Sequence, residues 1–200
     1  FTGVAGMAEV GIPTIVDPVS CRVSVFKQLG DDPMATAQNL RSRPVQVVAL
    51  VISMLICFSA GGLGGLATTQ GLEGWYETLS KPTWNPPSWV FGPVWSALYC
   101  MMGIAAWLVW RSGEWQQIKQ AISLFVAQLA LNSVWSVLFF GFQQPGWACV
   151  EIVFLWLAIL ATTIAFFRRS KVAAMLLTPY LFWVSFASIL NFTIWSLNRA

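Results

Sequence analysis

The stretch WACVEIVFLWLAILATTIAFF, Trp147 to Phe167, holds one charged side chain, Glu151, in 21 positions. A helix rises about 1.5 Å per residue, so a run of this length spans the roughly 30 Å hydrocarbon core of a bilayer. Four further runs have the same character: Val45 to Ala67, Val90 to Trp110, Ala121 to Phe142 and Val172 to Leu197. Breakers set them apart, with Pro44 before the first, Pro82, Pro86 and Pro87 before the second, and Pro145-Gly146 ahead of Trp147. The runs lack the period-two alternation of a membrane β-barrel. The fold class this predicts is an all-α membrane protein, a bundle of five transmembrane helices. The short connections after helices two, three and four predict antiparallel neighbours lying side by side.

Composition agrees. Of the 200 residues, 57% are hydrophobic and 10% charged, with a mean hydropathy of +0.68, against about 25% charged in a soluble domain. The net charge of +3 comes from scattered Lys and Arg. A phosphate-tracking surface needs a basic stripe with interleaved aromatics, so nucleic acid is not an expected partner. Histidine is absent, which removes His-based triads, ordinary zinc sites and His-ligated haem iron. Cys21, Cys57, Cys100 and Cys149 are far apart with no C-x-x-C pair and read as small apolar residues.

Residues 1–43 form an N-terminal tail, with Glu9, Asp17, Asp31 and Asp32 and no apolar stretch able to cross a bilayer. The tail reads as a soluble, targeting or upstream segment, Met34 opening a polar stretch just ahead of the first helix. Residues 44–198 are the five-helix domain. With alternating helices, Arg41, Arg43, Arg111, Lys119, Arg168, Arg169 and Lys171 fall on one side, and Lys81 and Arg199 on the other. The excess of basic residues predicts a cytoplasmic amino terminus. Trp75, Trp84, Trp89, Trp110, Trp115 and Trp147 sit near helix ends, where indoles occupy the headgroup level.

The segment Trp75 to Trp95, WYETLSKPTWNPPSWVFGPVW, is dense in aromatics and prolines. Prolines fix φ and restrict the residue before them, so the segment is stiff. Two readings stand: a lid whose aromatic faces accept a planar apolar ligand, or an interfacial loop packed on its own helices. Polar residues within the spans face the bundle interior. Gln128 and Asn132 share one helical face, as do Ser188 and Asn191, and interhelical hydrogen bonds are their simplest use. Glu151 is expected to reach the interface or to pair with a Lys or Arg. On the last helix Trp183, Ala187 and Leu190 form a stripe with room beside the indole for something flat. Gly61 and Gly65 have GxxxG spacing, which permits close helix contact within the bundle or between protomers.

Taken in order, Trp75-Tyr76, the run Lys81 to Pro87 (KPTWNPP), Pro93-Val94-Trp95, Gln128 to Asn132 (QLALN), Phe139-Phe140-Gly141, Gly146-Trp147-Ala148, and Pro179 through Trp183 to Asn191 closely resemble the translocator protein family, also called TspO or peripheral-type benzodiazepine receptors. The resemblance covers Trp75 to Asn198 and, more weakly, the first helix. It implies a homodimer of five-helix chains, embedded in membrane lipid of a bacterial envelope or an organelle. Each chain would have a pocket beneath the first loop for protoporphyrin, haem and related flat molecules. Porphyrin or haem enters as ligand, and no resident cofactor is required.

Carried over by position, the resemblance gives Tyr76, Trp95, Asn132 and Trp183 as pocket residues. It adds Phe91, Trp135, Ala187 and Leu190 as lining, with Trp84 of the lid above them. No catalytic residue and no metal site follow. The sterol pattern of animal members wants a tyrosine where this chain has Phe192, with Arg199 beyond, and is incomplete. Three functions are compatible: a receptor or sensor of tetrapyrroles, a transporter of porphyrins or lipids, and a light- and oxygen-dependent porphyrin-degrading enzyme. Inverted repeats and midplane charge relays, the usual transporter signs, are missing. Nor does the sequence supply an acid, base or nucleophile constellation.

Overall fold

The computed structural model describes residues 42–72 and 74–199. The tail expected over residues 1–43, its targeting reading, Cys21 and Arg41 therefore lie, apart from Ser42 and Arg43, outside the described residues. Among the described residues every regular element is helical. Five are long and apolar enough to cross a membrane: α1 (Arg43–Leu72), α2 (Phe91–Arg111), α3 (Trp115–Ser136), α4 (Pro145–Phe167) and α5 (Lys171–Asn198). A one-turn helix, Trp75–Thr78, and a 3₁₀ turn, Ser88–Val90, lie between α1 and α2, and a π-helical turn, Val137–Gly141, extends α3.

The expected spans hold, with two shifts at their ends. α1 continues past Ala67 because no breaker stops it before Gly74, whose φ of 152° opens the one-turn helix in a conformation that side chains disfavour. α3 starts at Trp115, six positions before Ala121, since Gln116, Gln117, Lys119 and Gln120 form helix as readily as apolar residues do.

Around the bundle the helices run α1, α2, α5, α4, α3 and back to α1. The expected side-by-side neighbours α2–α3, α3–α4 and α4–α5 all meet, the last two most extensively. By contrast, α2 and α3 meet less extensively than either meets α1. The reason lies in small residues on α1. A Cβ at Gly61 would fall 2.4 Å from the Tyr99 ring of α2, and one at Gly64 would fall 2.9 Å from Ser136 Oγ of α3. Ser53 Oγ donates to the Gly103 carbonyl at 2.7 Å, and Ser133 Oγ to the Ala60 carbonyl at 3.2 Å. Without a hydrophobic force between helices in lipid, close backbone approach and hydrogen bonds decide which helices pair. Gly61 therefore works inside the bundle, while a Cβ at Gly65 would meet nothing within 4 Å.

The two faces are separated. Arg169 donates to the Gln117 carbonyl, joining the α4–α5 turn to the start of α3. At the opposite end the Ser80 N–H donates to Asn198 Oδ1 at 2.9 Å, and Asn198 Nδ2 donates to the Ser80 carbonyl at 2.9 Å. Arg43, Arg111, Lys119, Arg168, Arg169 and Lys171 accordingly gather at one end, Lys81 and Arg199 at the other. Trp89, Trp115 and Trp147 are exposed near helix ends, as a headgroup belt requires. Cys57, Cys100 and Cys149 are free thiols.

Polar residues in the spans turn inward, with one correction. Glu151 is 8% exposed, and neither carboxylate oxygen has a hydrogen-bond partner. The expected pairing with Lys or Arg is not made, because the basic residues lie at the bundle ends and Glu151 points into the packed interior. Gln128 is also buried; its amide nitrogen reaches only Met102 Sδ at 3.9 Å, and its oxygen is unpaired.

Candidate functional site

The loop after α1 is strapped down from several sides. The Tyr76 hydroxyl donates to Asn85 Oδ1 at 2.8 Å, so the one-turn helix holds the proline-rich segment. Lys81 Nζ donates to the Tyr76 and Glu77 carbonyls at 2.6 and 3.1 Å and lies 4.9 Å from the Tyr76 ring centroid. The reciprocal Ser80–Asn198 pair ties the same loop to the end of α5. Burial pushes the Tyr76 phenol above its ordinary value, so at neutral pH it carries the proton it donates. Of the two readings of this segment, the geometry carries features of both: it packs on its own helices, and it roofs an aromatic chamber.

Beneath it lies a narrow apolar cavity of about 30 Å³, lined by Tyr76, Phe91, Trp135, Phe139, Phe140 and Trp183, with Phe186, Ala187, Leu190, Asn191 and Ile194 completing the wall. The π turn explains much of this. Phe142 N–H bonds back to the Val137 carbonyl at 2.8 Å, one residue further than in an α-helix. That insertion brings Phe140 onto the side that already carries Trp135 and, four positions on, Phe139. Trp135 stacks on Phe139 at 5.3 Å and meets Phe140 edge-on at 6.0 Å. Its indole N–H donates to Asn191 Oδ1 at 3.1 Å, and Asn191 Nδ2 donates to the Pro145 carbonyl at 3.0 Å, which anchors the wall to α5 and α4.

Six expected site residues meet here: Tyr76, Phe91, Trp135, Trp183, Ala187 and Leu190. The other three stand around the chamber. Trp84 meets Phe186 edge-on at 5.9 Å from the loop above. Asn132 lies behind it in the core, where the Tyr99 hydroxyl donates to its Oδ1 at 2.8 Å and its Nδ2 donates to the Tyr180 hydroxyl at 2.9 Å. Trp95 stacks on Tyr99 at 5.5 Å and touches Tyr180 at 6.1 Å. It faces a separate groove of about 340 Å³ between α1, α2 and α3, which also takes in Gly61, Gly64, Trp89 and Phe91. Phe91 lines both spaces and is the partition between them.

Sequence reasoning assigned no site role to Phe139, Phe140, Phe186, Asn191 and Ile194. Phe186 precedes Ala187 and follows Trp183 by three positions, so helical spacing held that signal. Phe139 lies four positions after Trp135, on the same helical face, so spacing held that signal too; for Phe140 the π turn decides which way it faces. The chamber offers stacking surfaces, one bound amide and no acid–base pair, an arrangement suited to holding a flat apolar molecule. Among the described residues no group of His, Cys, Asp or Glu could hold a metal ion.

Comparison with known proteins agrees with this architecture. Residues 53–196 match the model of the TspO/MBR family. The chain is 46% identical over 155 residues to the tryptophan-rich protein TspO of Chlorobaculum tepidum, covering 76% of this chain and 98% of that one. It is 44% identical over 132 residues to the translocator protein of Homo sapiens, covering 65% and 78%. To the tryptophan-rich sensory protein of Cereibacter sphaeroides it is 40% identical over 138 residues, covering 68% and 85%.

Proposed function

The chain belongs to the TspO/MBR family, and from that premise we propose that it is a membrane receptor or sensor that binds tetrapyrroles, protoporphyrin IX or haem, in the aromatic chamber under the first loop. The observation that carries this reading is the convergence of Tyr76, Phe91, Trp135, Trp183, Ala187 and Leu190, from the loop and three helices, on one narrow apolar space. The sensory role named for the Cereibacter sphaeroides relative supports the receptor side of it.

A cavity of about 30 Å³ has room for little more than a water molecule, and drug-sized ligands occupy roughly 300–1,000 Å³. Binding is therefore an opening reaction. Phe91 is the element to move, because its displacement joins the chamber to the groove of about 340 Å³ on the far side and lets Trp95 and Trp183 face one ligand. Its edge-on contact with Trp183 at 6.1 Å is worth about 0.5–1.5 kcal/mol beyond burial, a cost that stacking on a larger ring system offsets. With no histidine in the chain, the tetrapyrrole is held by stacking, shape and polar contacts, or by an axial ligand other than histidine.

The basic end of the bundle faces the cytoplasm in this reading, leaving the loop on the opposite side. A second copy of the chain is the expected partner besides membrane lipid. In the most apolar stretch of α1 only 11% of residues are buried, against 28% or more in each of the other four helices, so α1 has surface to give to a protomer. The test of the function is intrinsic tryptophan fluorescence of the purified protein titrated with protoporphyrin IX. Saturable quenching at one site per chain is expected, and a strictly linear, non-saturating response would overturn the reading.

A further inference from the structure

On the outer side of the chamber, between α2 and α5, lies an open groove of about 770 Å³, lined by Val94, Ala97, Met101, Met175, Pro179 and Phe182 and, at its inner end, by Trp183 and Phe186. Both helices cross the membrane, and Phe182 and Met175 are 71% and 70% exposed, so the groove opens to lipid rather than to water. Trp183 and Phe186 also line the chamber under the loop. The two side chains are thus the wall between a membrane-facing groove and the space beneath the loop.

Trp183 belongs, with Trp95 and Trp195, to the indoles of the spans that hold their place by packing and ring contacts. Trp107, Trp135 and Trp156 each donate an indole N–H to another helix: to the Gln46 carbonyl at 2.9 Å, Asn191 Oδ1 at 3.1 Å and Ser185 Oγ at 2.8 Å. Trp183 has only ring contacts, with Phe91 at 6.1 Å and Phe186 at 5.5 Å, and Phe186 in turn meets Trp84 of the loop at 5.9 Å. A side chain without a hydrogen bond to break changes rotamer more readily than an anchored one. The loop above, by contrast, is tied through Asn85, Lys81 and Asn198. The backbone at the groove is loosened as well, because Pro179 has no N–H for the Met175 carbonyl one turn earlier.

We infer that the α2–α5 groove is the entry site of the chamber, taking a flat apolar ligand dissolved in the bilayer and passing it inward when Trp183 and Phe186 swing aside. The inference rests on the proposed binding function and adds the route to it. A molecule that partitions into lipid reaches this groove by lateral diffusion, without crossing the polar, strapped loop. The groove is the larger space and the chamber too narrow for the ligand at rest, so ligand docks first outside and the wall yields second.

The test uses the full chain in phosphatidylcholine vesicles and protoporphyrin IX as probe, with association and dissociation followed by stopped-flow tryptophan quenching. Ala97→Trp fills the groove from an exposed position that does not line the chamber. Val153→Trp, at an exposed position on α4, controls for adding an indole to a lipid-facing surface. The expected result is that Ala97→Trp slows association and dissociation alike, each about 10-fold, with equilibrium affinity unchanged and Val153→Trp like wild type. Wild-type rates in Ala97→Trp overturn the groove as entry route. Weakened equilibrium affinity at an unchanged association rate overturns it too, since the groove would then be part of the resting site. If the wild-type protein itself shows no saturable binding, the binding function fails, and the route with it.

Discussion

Asn132 satisfies two phenols with one amide, accepting from Tyr99 and donating to Tyr180, in a place where all three groups are buried. Replacing it by leucine keeps the volume close and leaves two hydroxyls without partners. A buried unpaired polar group costs about 1–3 kcal/mol, and interhelical bonds in membranes sit at the low end of that scale. We expect Asn132→Leu to lose about 1–2 kcal/mol in reversible unfolding in detergent, and Asn132→Asp to lose less. Equal stability of wild type and Asn132→Leu would show that the amide is not structural. At this scale the sequence was readable where spacing suffices. Trp183, Ala187 and Leu190 lie at steps of four and three along a straight stretch of α5, and all three reach the chamber. Position alone did not reveal that Phe91 stands between Trp95 and the chamber, nor that Glu151 finds no basic partner, since both depend on how neighbouring helices are rotated.

Elements are placed by the small residues of α1. A Cβ on Gly61 would overlap the Tyr99 ring at 2.4–2.8 Å, and that ring is held by Asn132 and stacked against Trp95, so it cannot retreat freely. Forcing extra volume into such a contact costs about 1–3 kcal/mol. Gly61→Ala should therefore lower the thermal midpoint in detergent by several degrees. Gly65→Ala, which meets nothing within 4 Å, should leave it unchanged or raise it slightly, as alanine favours helix by about 0.8–1.0 kcal/mol over glycine. Equal behaviour of the two variants would contradict the packing described. The helix count and spans were legible from apolar length. The ring order α1, α2, α5, α4, α3 was not, because it depends on which glycines touch which partner. The π turn at Val137–Gly141 leaves no mark in hydrophobic pattern either, and it adds Phe140 to the lining beside Phe139.

For the whole molecule, the separation of basic residues between the two ends predicts the orientation proposed above. A cysteine at Lys119 and one at Ser80 stand at opposite faces of the bundle, and Cys21→Ser removes the tail thiol as a competing site. In intact bacterial spheroplasts a membrane-impermeant maleimide should label Ser80→Cys directly and Lys119→Cys only after permeabilisation. The reverse pattern would place the loop in the cytoplasm. In the proposed orientation the loop, tied through Asn85, Lys81 and Asn198, lies outside, and the entry route proposed above would draw the ligand from the lipid phase.

The central claim is that the space beneath the loop is where a flat apolar ligand sits, with Trp183 as one of its faces. Equilibrium titration of Trp183→Ala with protoporphyrin IX, beside wild type and Trp183→Phe, tests it most directly. Loss of a stacking face predicts at least about 10-fold weaker binding for Trp183→Ala, a change of about 1.4 kcal/mol, with the aromatic replacement retaining most of the affinity and the helical content of both unchanged. Wild-type affinity in a folded Trp183→Ala protein would contradict the claim.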